Sequence, residues 1–124
     1  MEKEFVTYEQ ALELKELGFN EPCFGWWFVD EKMLFIEKSK KSTSDNILQA
    51  PLKQQVFRWF RDNHNLFGCI DLQSSNPSHW YIRVDNIIEN DFVYHSEDYR
   101  IKYKTYEEAE DACIDKLIEL VKTQ

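Results

Sequence analysis

Apolar and polar positions fall into blocks whose period changes several times along the chain, and each change predicts an element. Thr7-Tyr8-Glu9-Gln10 has the S/T-x-x-E/Q form of a capping box, which satisfies free amides at a helix start. That helix is expected to end at Gly18, a residue type that accepts a left-handed turn, with Phe19 folding back toward Leu14. Residues 23–29, Cys-Phe-Gly-Trp-Trp-Phe-Val, are apolar at both parities, so this strand is buried on both sides or presents one side to a partner. Asp30-Glu31-Lys32 turns the chain into a second strand from Met33 to Glu37, and residues 38–46 read as a polar loop.

A second helix is expected with Pro51 in its first turn, where a missing amide costs nothing. Leu52, Val56, Trp59 and Phe60 share its apolar face, opposite Gln54, Arg58 and Arg61. Residues 69–72 and 79–84 read as strands around the turn cluster Ser74-Ser75-Asn76-Pro77. Trp80, Ile82 and Val84 alternate there with polar neighbours, which predicts a half-buried strand with Trp80, like Trp59, in the core. Residues 92–94 add a further strand, and Tyr99, Ile101 and Tyr103 alternate with Arg100, Lys102 and Lys104 for a last one. Thr105-Tyr106-Glu107-Glu108 is a second capping box, opening a helix whose stripe is Tyr106, Ala109, Cys113, Leu117 and Leu120. The segments around Thr7 and Thr105 look alike, through duplication or through the shared demands of capping. The pattern predicts one α+β domain over residues 1–124, three helices packed on a mainly antiparallel sheet of about five strands.

Composition narrows the class. Hydrophobic residues at 43% and charged residues at 31% belong to a folded globular chain. Cys23, Cys69 and Cys113 are odd in number and far apart, so neither a disulfide framework nor a CxxC pair is expected, and a reducing compartment follows. The charged start Met1-Glu2-Lys3-Glu4 offers no signal peptide, and no apolar run approaches the ~20 residues of a membrane span. A cytoplasmic protein without membrane contact is the expectation. The net charge of −8 opposes duplex DNA as a partner. Charge is uneven, however, with six basic residues against one acidic between residues 38 and 61, and six acidic against two basic from Thr105 onward.

No catalytic signature emerges. Cys69 beside Asp71, or Cys113 in the last helix, are the candidates for a Cys-His nucleophile pair, and neither carries a family signature. His64, His79 and His95 match no zinc spacing. Asp85, Glu89, Asn90 and Asp91 lack the calcium-loop register and its glycine. Three glycines in the whole chain exclude a glycine-rich phosphate cradle, and no cofactor is implied. Glu108, Asp111, Asp115 and Glu119 form an acidic row on the last helix, read as a solvated face or as a surface for a basic partner.

The informative excess is aromatic: four Trp, six Tyr and nine Phe. A domain of this size cannot bury every ring, so Trp27, Tyr81 or Phe57 beside Arg58, Arg61 or Arg83 is the expected binding surface, centred on the second helix. The combination of Phe5-Val6-Thr7-Tyr8-Glu9-Gln10-Ala11, Ala50-Pro51-Leu52, Trp59-Phe60-Arg61, His64-Asn65-Leu66 and Thr105-Tyr106-Glu107-Glu108-Ala109 resembles a recurring group of small uncharacterised proteins from bacteriophages, prophages and gut Bacteroidetes. That resemblance implies a cytoplasmic phage-type accessory protein, made in a bacterial host cell during infection or from mobile DNA; with no catalytic signature and an aromatic surface, the expected function is non-catalytic binding of another macromolecule, in the first place a protein. The alternative is a module binding or sequestering a nucleotide-like small ligand. Oligomeric state is not legible.

Overall fold

The computed structural model describes residues 2–40, 47–73, 76–89 and 91–124; most of the polar loop after Lys40, Ser74 and Ser75 of the turn cluster, and Asn90 lie outside them. The α+β class holds, with three α-helices among the described residues, but the strands described form two three-stranded antiparallel sheets instead of one sheet of about five. The chain divides into two compact units, Met1–Val56 and Phe57–Gln124, the division falling inside the second helix.

In the first unit, α1 (Tyr8–Glu16) starts as its sequence dictates. The Gln10 amide donates to Thr7 Oγ1 at 3.1 Å, and the Thr7 amide donates to Gln10 Oε1 at 3.0 Å. Gly18 ends the helix at φ +96, and the Phe19 amide folds back onto the Leu14 carbonyl at 3.0 Å. The strands are β1 (Cys23–Phe28), β2 (Met33–Lys40) and β3 (Ile47–Ala50), in the order β2-β1-β3. Residues directly opposite share a face. Trp27 therefore lies with Leu34 and Leu48, and Gly25 with Ile36 and Ala50, while Trp26 lies with Phe35 and Gln49, and Phe28 with Met33 and Ile47. The first of these faces is packed by the segment leading into α1. A Cβ on Gly25 would stand 2.7 Å from both the Phe5 ring and the Ala50 carbonyl. The Trp27 indole donates to the Val6 carbonyl at 3.2 Å, and Tyr8 meets the Trp27 ring edge-on.

The second helix, α2 (Lys53–His64), begins later than expected. Pro51 stays in an extended approach in which its carbonyl accepts the Val6 amide and Leu52 bridges to Phe5, so the first helical bond runs from the Val56 amide to the Leu52 carbonyl.

The second unit contains β4 (Leu66–Leu72), β5 (Trp80–Asn86), β6 (Asp91–His95) and α3 (Tyr106–Lys122), with the strands in the order β4-β5-β6. The expected last strand over Tyr99, Ile101 and Tyr103 is absent. Residues Ser96–Tyr99 form a 3-10 turn closed by Arg100 at φ 60, and Tyr103 alone bridges to Trp80. The reason is Ser96, fully buried, whose Oγ accepts the Ile82 amide at 2.9 Å and so replaces a ladder bond. The buried stripe of α3 is Ala109, Glu110, Cys113, Ile114, Leu117 and Ile118; Tyr106 is largely outside it, against the edge of Trp80, which is itself only half-buried. A Cβ on Gly68 would lie 2.9 Å from Cys113 Sγ and 3.0 Å from Leu117, so the glycine lets α3 seat on β4. The two sheets differ in strand order, so they are not two copies of one arrangement, and the likeness around Thr7 and Thr105 extends no further than the caps.

Candidate functional site

The structure removes Phe57 from the expected surface on α2. Phe57 is 4% exposed and packs beside Gly68, and Trp59 and Phe60 are buried with it. The apolar arc of α2 takes in Val56 and Phe57 in one turn and Trp59 and Phe60 in the next, which carries Phe57 into the core and leaves Arg58 exposed and Arg61 half-exposed without an aromatic surface neighbour on the helix. Trp27 belongs to the first unit, half-buried with its indole bonded to Val6, whereas Arg58, Arg61 and Tyr81 belong to the second.

Tyr81 is drawn into a polar row on the face of the second sheet turned away from α3. Register places Cys69, Arg83 and His95 across the three strands and Asp71 beside Tyr81. Arg83 reaches Asp71 at 3.4 Å and Asp85 at 3.3 Å, and His95 Nε2 lies 3.5 Å from Asp71. His95 Nδ1 accepts the Glu97 amide at 3.1 Å, so the neutral ring carries its proton on Nε2 and offers it to the carboxylate. The Tyr81 hydroxyl and His79 both turn to Gln73.

This row is poorly suited to nucleophilic chemistry. Burial, and then the Asp71 carboxylate, push the Cys69 thiol above its ordinary value, and Arg83 only partly opposes them. The imidazole nitrogen facing the row is a donor and cannot accept a thiol proton. Cys23, pushed up to about 12 by burial with Glu21 adding to it, and Cys113, pushed up mainly by burial, also remain thiols at neutral pH. Cys113 Sγ points at the Cys69 carbonyl, and the Cys69 side chain lies on the other face of the sheet. Among the described residues no cluster of His, Cys, Asp and Glu could hold a metal ion, and no helix is long and apolar enough to cross a membrane.

The first sheet offers a different surface. On the face shared by Trp26, Phe28, Met33 and Phe35, Trp26 is buried, but Met33 is 62% exposed and Phe35 44% exposed; Phe24, of the same strand parity, is 50% exposed. Phe28 and Phe35 are in ring contact at 5.9 Å. Side chains of this size are ordinarily withdrawn from water at about 25 cal/mol per Å². The signal was present in the sequence as the double-parity apolar run of residues 23–29. Compared with known proteins, the chain matches no family model, no curated sequence and no solved structure.

Proposed function

We propose that the chain is a non-catalytic accessory protein, phage-type as its resemblance implies, that binds another protein through the outer face of the β1–β2 hairpin. One observation carries this reading: Met33 and Phe35 stand exposed on one face of the edge strand β2, with Phe24 of the neighbouring β1 exposed as well. Aromatic and methionine side chains are enriched in the dry centres of protein interfaces. The thiols held protonated add support, since they remove the nearest candidates for chemistry.

The nucleotide-like alternative has less in its favour. The cavity of about 200 Å³ beside Arg83 and His95 is also lined by Glu97 and Asp98, which repel phosphate, and Arg83 is already shared between two carboxylates.

Affinity purification from cells producing the protein, read by mass spectrometry, tests the assignment with two variants. Met33→Lys with Phe35→Lys is expected to lose the partner recovered by the native chain while changing stability by less than about 0.5 kcal/mol. Arg58→Glu with Arg61→Glu is expected to keep it. The reverse pattern would return the site to α2, and retention by both would reject the hairpin.

A further inference from the structure

A second surface of the first unit lies between the C-terminal half of α1 and β3, and its use is independent of the hairpin face. It is a cleft of about 260 Å³ lined by Ala11, Lys15, Phe19, Ile47, Leu48 and Gln49 among others. Successive side chains of a strand point to opposite faces, so a cavity touching Ile47, Leu48 and Gln49 together must follow the edge of the strand. β3 is such an edge: with the order β2-β1-β3, no strand among the described residues pairs with its outer side. Alternate amides and carbonyls of an edge strand face outward and are ready to pair with an added chain. Beside them the cleft floor is apolar, formed by the buried Ala11, Phe19 and Leu48. Its one charged lining residue among those described is Lys15, exposed.

We propose that this cleft takes an extended peptide segment of a partner protein by strand addition to β3, with an apolar side chain in the slot and a carboxylate facing Lys15. Ladder bonds would supply affinity, and the slot and the ammonium would select the sequence. A basic peptide is disfavoured by Lys15, and a bulky helix would leave the strand edge unpaired.

The probe is a phage-displayed library of random peptides selected on the full chain, the enriched peptides then being made with a fluorescent label and titrated. The expected winners alternate apolar positions and carry Asp or Glu. Their affinity should fall roughly tenfold on Lys15→Glu, an exposed change that leaves the melting temperature in place. N-methylation of alternate peptide amides should abolish binding, and hydrogen exchange of the amides of residues 47–50 should slow in the complex. Phe35→Lys should leave affinity unchanged, which separates this site from the hairpin face. The proposal is overturned if no peptide is enriched over empty phage, if N-methylation or Lys15→Glu has no effect, or if β3 exchange is unaltered.

Discussion

The two units are built from the same parts, three antiparallel strands, a helix capped by threonine and a glycine where a neighbour comes close, yet they finish the face turned away from the helix differently. In the second unit that face, apart from Phe67 at its end, is polar and answered from within: Arg83 lies between Asp71 and Asp85, and His95 between Asp71 and the Glu97 amide. In the first it carries Phe24, Met33 and Phe35 in water. Ion pairs and hydrogen bonds can be closed within one sheet, whereas an apolar face is closed only by another body. Under the proposed function, it is this difference that places the binding face on the first unit.

The largest expected effect separates the units at their glycines. In Gly25→Ala the new methyl meets the Ala50 carbonyl oxygen and the Phe5 ring, both at 2.7 Å, and that carbonyl cannot retreat without disturbing the β1–β3 pairing. In Gly68→Ala it meets Cys113 Sγ at 2.9 Å and a Leu117 methyl at 3.0 Å, the ends of side chains. Overpacking costs about 1–3 kcal/mol, partly offset by the reduced entropy of the unfolded chain. Urea melts should place Gly25→Ala near 3 and Gly68→Ala near 1 on that rough scale. Equal losses would mean that the two close approaches are alike and that this contrast between the units is false.

How much of this was legible depends on the range of the interactions involved. The start and end of α1 were read from Thr7, Gln10, Gly18 and Phe19 because capping is settled within a few residues. Strand β3 is not legible: four residues between a polar run and Pro51 carry no period of their own, and pairing with the distant β1 makes them a strand. The division into two sheets was hidden for the same reason, since alternation announces a strand without naming its partner. Phe57 reads as a surface residue only if the buried arc of α2 is narrow, and the arc is in fact wide enough for Val56, Phe57, Trp59 and Phe60. The hairpin surface was half legible. Both parities of residues 23–29 are apolar, but which one meets water required the register with Met33 and Phe35.

A smaller effect sharpens the comparison at the caps. Thr7 and Thr105 each accept an amide three residues on at 3.1 Å, from Gln10 and Glu108. In α1 the Gln10 side chain returns to the Thr7 amide, while in α3 the Glu108 carboxylate reaches one residue further back, to the Lys104 amide. The Thr7 box is part-buried and the Thr105 cap exposed. Replacing either by Ala should cost about 1 kcal/mol, with Thr7 the larger of the two in denaturant melts. A larger loss at Thr105 would show that closure of the box and its burial do not set the value of these caps.

The smallest effect tests the claim that the second unit's outer face is complete as it stands. Arg83 and Asp71 are 37% and 38% exposed, so water and salt screen their attraction, and a double-mutant cycle of Arg83→Gln with Asp71→Asn should return a coupling of about 0–1 kcal/mol. Raising the ionic strength to about 1 M, where the Debye length is about 3 Å, should remove most of it. The two single variants should each be nearly neutral, because Asp85 still faces Arg83 when Asp71 is changed and His95 still faces Asp71 when Arg83 is changed. A coupling near 3 kcal/mol that survived salt would behave as a buried pair does, in which each charge depends on its partner. The row would then be an occluded site rather than a solvated network, and the polar face of the second sheet would stand with the hairpin as a surface that needs a partner.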